Sequence, residues 1–232
     1  MRRMQGFLFQ NGLSWRDISG VLITHEHSDH ISGLDMLVKK TDMTVYAPHT
    51  VANRLCGRLP YLEEQLRVIP VGESFPVGDC CVTAFHTPHD TDESVGYRVE
   101  GSAVFALATD MGYVTEEIQN GLRGADAVLV EANHDLQMLR DGPYPFPLKR
   151  RILSDHGHLS NDSCALLARE LAAAGTGQII LGHLSRENNR PELAMQTVSA
   201  ALEGLDTELF CAPPLGPLTL EVGSRRVCLT SN

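Results

Sequence analysis

The stretch that decides the fold lies near the start of the chain and reads Thr24-His25-Glu26-His27-Ser28-Asp29-His30. It directly follows a short apolar run that predicts a buried strand over Ser19–Thr24. Imidazole and carboxylate are side chains that proteins use to hold Zn²⁺ and related divalent ions. His25 and His27 are two residues apart, so they can point to one side and share an ion. Asp29 and His30 lie just beyond and can face a second ion, so we interpret the stretch as part of a metal centre.

Further polar side chains could complete such a centre, because a metal site needs more ligands than this stretch supplies. Four later places offer them, and most follow a predicted strand: His86 with His89, Asp110, His156 with His158, and His183. In layered α/β folds, ligands gather at the carboxyl ends of the strands. The spacing alone leaves open which of these side chains are ligands.

The hydrophobic pattern predicts strands alternating with helices and no linker or repeat. Beyond the first strand, strands are predicted at Thr44–Ala47, Leu66–Val71, Cys81–Phe85, Val95–Val99, Ala103–Ala108, Ala127–Glu131, Gln178–Leu181, Thr207–Cys211 and Leu218–Val222. Helices are predicted at Ile31–Lys40, Thr50–Leu59, Thr115–Leu122, Ser163–Ala174 and Pro191–Leu202. The proline-rich segment 141–147 predicts an irregular loop, since its prolines cannot continue a helix. This rhythm suggests two sheets covered by helices, in the α/β class.

The composition is that of an ordinary globular protein, with 43% hydrophobic and 21% charged residues in 232. The net charge of −10 argues against a protein that coats nucleic acid, but not against an enzyme that grips a few phosphates. The first ten residues lack the apolar stretch of a secretory signal, and no run approaches the roughly 18 apolar residues of a membrane span. The six cysteines show no CxxC spacing, which favours reduced thiols. We expect one domain over residues 1–232, in a soluble cytoplasmic protein without a membrane partner.

The order of the histidines and aspartates resembles the metallo-β-lactamase fold superfamily. Several stretches together are similar to the bacterial YycJ/WalJ group within it: THEHSDHISG (24–33), PHDT (88–91), SVGY (94–97), TDMGY (109–113), EANHD (131–135), DHGHLSN (155–161) and LGHLSRENN (181–189). This resemblance implies a four-layer αββα sandwich with a binuclear metal site at one edge. It also implies exonuclease-type hydrolysis of phosphodiester bonds, chiefly in DNA, so the expected partner is a nucleic acid.

The same resemblance assigns the ligands: His25, His27 and His89 would hold one ion, Asp29, His30 and His183 the other, and Asp110 would bridge both. We expect two divalent ions, Zn²⁺ or Mn²⁺, because the set offers nitrogen and oxygen but no sulfur. Two such ions can share a water and produce the hydroxide that attacks phosphorus. As catalytic residues, Asp29 could orient the proton of that hydroxide, and His158 could donate to the scissile phosphate.

The candidates for binding substrate lie in two later loops and comprise His156, Ser160, Ser185, Arg186 and Asn188. Ser160 can also cap the helix that follows it, and both roles can hold at once. The basic run Lys149-Arg150-Arg151 could contact DNA, in which case binding would be sensitive to salt, or it could be a solvated face.

One departure from the family pattern concerns the N-terminus. Such proteins open with a Ser/Gly-rich turn and a strand ending in Asp-Ala-Gly, and the sequence from Met1 shows neither. We expect a version of the sandwich that lacks the first strands. In the family pattern, the aspartate of that strand holds the metal ligands in place without binding the metal itself. Loss of such a residue typically costs 10–100-fold in metal affinity or activity.

Two alternatives to a nuclease stay open at this point. A small-molecule hydrolase of the same fold, such as a thioesterase or lactonase, would use the same metal ligands. Its usual GHT-type motif is replaced here by Pro88-His89-Asp90, which disfavours a thioesterase. A metal-binding protein inactivated by the loss of its N-terminal strands is the other alternative.

Overall fold

The structure, a computed structural model, describes residues 2–214 and 216–222 of the chain. Its strands are β1 (Val21–Leu22), β2 (Val45–Pro48), β3 (Leu66–Ile69), β4 (Ser74–Val77), β5 (Cys80–His86), β6 (Val95–Glu100), β7 (Val104–Ala108), β8 (Ala127–Glu131), β9 (Gln178–Gly182) and β10 (Glu208–Cys211). Its helices are α1 (Arg2–Gln10), α2 (Ser28–Ile31), α3 (Leu34–Val38), α4 (His49–Arg58), α5 (Glu116–Leu122), α6 (Leu136–Asp141), α7 (Phe146–Ile152), α8 (Asn161–Ala173) and α9 (Pro191–Ala201).

The strands form two sheets of different size. β1, β2 and β3 make a small parallel sheet, in which Val21 pairs with Val45 and Val45 with Leu66. The large sheet has the order β10-β9-β8-β7-β6-β5-β4. Its β7 to β10 half is parallel and its β4 to β7 half is antiparallel. The parallel half has its carboxyl ends at one edge, which is where ligands gather in such sheets.

Three apolar clusters show how the sheets and helices are layered. One packs α4 on the small sheet, and another packs α5, α8 and α9 on the large sheet. The third lies between the sheets and joins Ile69 of β3 to Val82 and Tyr97 of the large sheet. The Tyr97 hydroxyl donates to the backbone oxygen of Ile23 at 2.5 Å, which ties the sheets together beside the histidine-rich stretch. The order is helices, sheet, sheet, helices, and it confirms the predicted αββα sandwich.

Most predicted elements are present, with ends shifted by a few residues. The helix predicted at Ile31–Lys40 is instead two short helices, α2 and α3, because the chain turns between Ser32 and Gly33. The prediction of a loop over residues 141–147 is wrong at its end, because α7 begins at Phe146. Pro147 stands in the first turn of that helix, where its missing N–H costs no hydrogen bond.

The predicted strand at Leu218–Val222 is wrong, because these residues are described and form no strand. Its alternating apolar residues find no buried face, and Leu218 is exposed. β4 was not predicted, because its Pro76 argues against a strand. This proline is tolerated because β4 is an edge strand of the large sheet.

Two further features of the described residues concern membrane spans and cysteines. No helix among them combines the length and the apolar character that crossing a bilayer requires. The five cysteines within this part of the chain are free thiols: Cys56, Cys80, Cys81, Cys164 and Cys211.

Candidate metal centre

The side chains assigned as metal ligands meet at one edge of the two sheets. The loop after β1 and the start of α2 supply His25, His27, Asp29 and His30. The large sheet supplies His89, Asp110 and His183 from the segments that follow β5, β7 and β9. All these residues stand just beyond the ends of strands, so the topology accounts for their meeting.

The donor atoms fall into overlapping groups whose members lie within 4.8 Å of one another. One group is His25, His27 and His89, and another is Asp29, His30 and His183. Asp110 joins two further groups, one with His25 and His30 and one with Glu131, His158 and His183. The first two groups match the two ligand sets that the family resemblance implies, and Asp110 lies next to both.

Asp110 is the centre of this arrangement. Its Oδ2 lies 3.3 Å from His30 Nε2, and its Oδ1 lies 3.5 Å from His183 Nε2 and 3.6 Å from His89 Nε2. Its side chain is only 2% exposed. Asp110 is therefore a buried carboxylate that lies between imidazoles of both sets.

The backbone is strained at two of these residues. Asp110 has a φ of 59° and His183 a φ of 55°, and they are the only non-glycine residues with positive φ in the described chain. Such conformations cost about 1–3 kcal/mol each and persist where the surroundings impose them. The Asn133 side chain donates to the His183 backbone oxygen at 3.0 Å and helps to hold that turn. The strain coincides with two residues that face the centre.

Two buried donor atoms show that the cluster fits divalent cations. His25 Nε2 and Asp110 Oδ2 are buried and have no hydrogen-bond partner. Burial, together with the neighbouring imidazoles, lowers the pKa of His25 to about 2, so its ring is neutral and keeps a free lone pair. Nitrogen and oxygen donors in this combination suit Zn²⁺ or Mn²⁺.

Glu131, the last residue of β8, lies directly behind the cluster and was not among the predicted site residues. Its Oε1 accepts hydrogen bonds from Nδ1 of His158 at 2.7 Å and from Nδ1 of His183 at 2.8 Å. Its Oε2 accepts from the backbone N–H groups of Met111 and Leu159. The side chain is fully buried. A carboxylate at the end of the apolar run Ala127–Glu131 was the available signal.

These hydrogen bonds determine which nitrogen each histidine presents. Since Nδ1 of both rings donates to Glu131, Nε2 of His183 and of His158 is left to face the cleft. Burial lowers the pKa of His183, but the hydrogen bond and charge of Glu131 raise it more, to about 9. The pKa of His158 is also raised, by the same contact acting against burial. Glu131 keeps its charge, because the two histidines lower its pKa more than burial raises it.

Glu26 holds the loop between His25 and His27 from the opposite side. Its side chain is 2% exposed, and its Oε1 accepts from Thr91 Oγ1 at 2.8 Å and from Arg54 of α4. Arg58 of α4 also donates to the Glu26 backbone oxygen, at 2.9 Å. The residue therefore turns away from the cluster and anchors the loop to α4.

A cleft of about 700 Å³ opens over the cluster. Of the residues assigned to substrate binding, those lining it are His156, Ser185 and Arg186, and the candidate catalytic residues Asp29 and His158 line it as well. The structure does not bring Ser160 and Asn188 to the cleft. Ser160 is buried and caps α8 by accepting from the Ser163 N–H at 3.2 Å. Asn188 is fully buried, and its N–H donates to Ser185 Oγ.

The charges of the cleft are unusual for a site that would bind a polyanion. Four carboxylates line it, from Asp29, Asp90, Asp110 and Glu187, against the two guanidinium groups of Arg151 and Arg186. One of these guanidinium groups, that of Arg151, is already paired with the carboxylate of Asp90. The cleft would therefore attract phosphate only with cations bound beside its carboxylates.

Two sheets between helical layers, with a His/Asp cluster at the strand ends, define a metallo-hydrolase of the metallo-β-lactamase fold. The family model for the beta-lactamase superfamily domain matches residues 3–184, and the chain belongs to that superfamily.

The expected similarity to the YycJ/WalJ group is confirmed by two relatives. The exodeoxyribonuclease YycJ of Bacillus anthracis is 42% identical over 198 residues, covering 84% of this chain and 74% of that protein. The exodeoxyribonuclease WalJ of Streptococcus pneumoniae D39 is 38% identical over 196 residues, covering 82% and 72%. Among solved structures, Zn²⁺-bound PqqB from Methylobacterium extorquens superposes with a TM-score of 0.65 at 21% identity, covering 87% and 72%. At 21% identity, the superposition with PqqB shows a shared fold and nothing more.

Proposed function

We propose that this protein is a nuclease that hydrolyses phosphodiester bonds in DNA as an exonuclease, using two divalent ions. The observation that carries the proposal is the grouping of seven donor side chains, with Asp110 at their centre, at the floor of a cleft that also holds His158 and Arg186. Two relatives that are named exodeoxyribonucleases and match most of the chain support the choice of substrate.

In this proposal each of the two donor groups would hold one ion. His25, His27 and His89 would hold the first and Asp29, His30 and His183 the second, with Asp110 available to both groups. When bound, two ions of Zn²⁺ or Mn²⁺ supply a nucleophile from water near neutral pH and neutralise charge on the phosphate.

The side chains around the ions then orient the substrate and handle protons. Asp29 is 69% exposed, and its Oδ2 faces His30 at 3.7 Å and His183 at 4.0 Å. Its Oδ1 is left to accept a proton from the attacking water. His158, whose Nδ1 is committed to Glu131, donates from Nε2 to a phosphate oxygen. Arg186 is exposed at the rim of the same cleft and pairs with the next phosphate along the strand.

The experiment that tests the proposal compares the native protein with two histidine variants. Native protein with Mn²⁺ or Zn²⁺ is expected to release nucleotides from 5′-phosphorylated DNA. His27→Ala removes a ligand and is expected to lose this activity together with bound metal. His49→Ala changes an exposed histidine outside the cluster and is expected to behave like the native protein. Equal activity in native protein and His27→Ala would refute the proposal.

A second set of substrates separates the proposal from its alternatives. RNA of the same sequence and a small thioester are tested under the same conditions. Faster hydrolysis of the thioester than of DNA would favour a small-molecule hydrolase. Bound metal without activity on any substrate would favour a metal-binding protein without catalysis.

A further inference from the structure

Asp90 lies beside the first donor group, although no ligand assignment includes it. It directly follows His89, and its Oδ1 is buried without a hydrogen-bond partner. Its Oδ2 accepts from Nε of Arg151, which belongs to α7, and also forms an ion pair with Nη2 of the same guanidinium group. Arg151 thus engages one carboxylate oxygen and leaves the other one free.

The free oxygen points at the nitrogens of the first group. Asp90 Oδ1 lies 3.3 Å from His89 Nε2 and 3.8 Å from His27 Nε2. His89 Nδ1 lies 3.2 Å from the Gly157 backbone oxygen, so Nε2 is the nitrogen that faces the centre. Two ligands held about 2.1 Å from one ion lie roughly 3.0–3.4 Å apart. The distance from Asp90 to His89 falls in that range, as does the 3.3 Å from Asp110 to His30.

We propose that Asp90 is an additional oxygen donor of the first ion site and that Arg151 is the residue that orients it. This inference rests on the proposed metal centre and names one more residue within it. The first site then combines three imidazoles with a carboxylate of its own, besides the shared Asp110. Carboxylate oxygen suits Mn²⁺, whereas imidazole suits Zn²⁺ well. Removing the Asp90 oxygen therefore weakens Mn²⁺ binding more than Zn²⁺ binding.

The same contact changes the interpretation of the basic run Lys149-Arg150-Arg151. Arg151 is committed to Asp90, and Lys149 Nζ donates to the Arg140 backbone oxygen at 2.6 Å. Arg150 is exposed next to them. Replacing all three residues together would therefore disturb the metal site as well as the surface. Arg151 and Arg150 instead form a matched pair of neighbours, of which only one touches the centre.

The test measures metal affinity in the metal-stripped protein, by calorimetric titration with Mn²⁺ and separately with Zn²⁺. Asp90→Asn keeps the shape of the side chain and is expected to lower the Mn²⁺ affinity of one site by about 10–100-fold, with a smaller loss for Zn²⁺. Asp92→Asn removes the same charge from an exposed position two residues away and is expected to leave both affinities unchanged. Arg151→Ala is expected to shift Mn²⁺ affinity in the direction of Asp90→Asn, and Arg150→Ala to leave it unchanged.

The outcomes separate this inference from the proposed function. Native protein that binds two ions, with Asp90→Asn indistinguishable from Asp92→Asn, would overturn the role of Asp90 and leave the nuclease proposal standing. Equal losses for Mn²⁺ and Zn²⁺ would also overturn it, since they would indicate a charge effect without ligation. If Asp90→Asn does not fold, the comparison of Arg151→Ala with Arg150→Ala decides. Equal Mn²⁺ affinities of these two variants would overturn the inference. Native protein that binds neither metal would overturn both proposals.

Discussion

Replacing Glu131 by glutamine removes one charge from behind the candidate centre and nearly preserves the shape of the side chain. Glu131 accepts four hydrogen bonds, two from imidazoles and two from backbone N–H groups, so all its partners are donors. The amide of glutamine has only one accepting oxygen, and its NH₂ group would face donors. His158 and His183, which are partly buried, would also lose the counter-charge of this fully buried carboxylate.

The size of the effect follows from these contacts. Removing one partner of a buried, hydrogen-bonded charge network costs about 3–5 kcal/mol. In a protein of this size each kcal/mol corresponds to about 2–4 °C in Tm, so Glu131→Gln is expected to lower Tm by roughly 6–20 °C. Loss of support for His183 is expected to lower metal affinity by about 10–100-fold as well.

The assay is urea unfolding in the presence of a chelator, so that bound ions do not contribute to the free energy of unfolding. Glu170→Gln is the matched control, because Glu170 is exposed on α8 and its carboxylate accepts a hydrogen bond from the Gln119 side chain at 3.1 Å. It is expected to stay within about 0.5 kcal/mol of the native protein. A Glu131→Gln protein within the same margin would refute the role assigned to Glu131.

Two further predictions concern the packing around the site. Gly157→Ala would place its Cβ 2.1 Å from the Ile152 backbone oxygen, so urea unfolding should show a loss of about 1–3 kcal/mol. Gly57→Ala, in open space on α4, should instead gain about 0.5–1 kcal/mol, and a gain at both positions would contradict the geometry. Burial raises the pKa of the Cys164 thiol to about 12, so iodoacetamide at pH 8 should modify exposed Cys81 in the native protein and Cys164 only after denaturation. Mass spectrometry of the two peptides checks this, and early modification of Cys164 would contradict it.

The grouping of the donor side chains at one edge could be predicted from the sequence, because apolar runs in the local sequence show where strands end. His25, Asp110 and His183 each follow an apolar run, and such runs end at a shared edge in a layered fold. The spacing of His25 and His27 needed no tertiary information at all.

Other features depend on contacts that local pattern does not contain. The role of Glu131 requires two histidines that approach from distant segments, at positions 158 and 183. The contact of Arg151 with Asp90 joins residues 61 positions apart. The alternation over Leu218–Val222 resembles that of a strand, but a strand also needs a neighbour with free backbone groups. The two contacts were missed and the strand was wrongly predicted because each depends on partners that lie far away along the chain.

The left-handed backbone at Asp110 and His183 has a consequence for engineering this molecule. Glycine adopts that conformation without steric penalty, so a search guided only by heat resistance would favour glycine at both positions. Each such exchange would relax the turn and at the same time delete a side chain from the floor of the cleft. Variants selected only for higher thermal stability would thus lose side chains of the candidate metal centre. A thermostability screen for this protein should hold residues 110 and 183 constant.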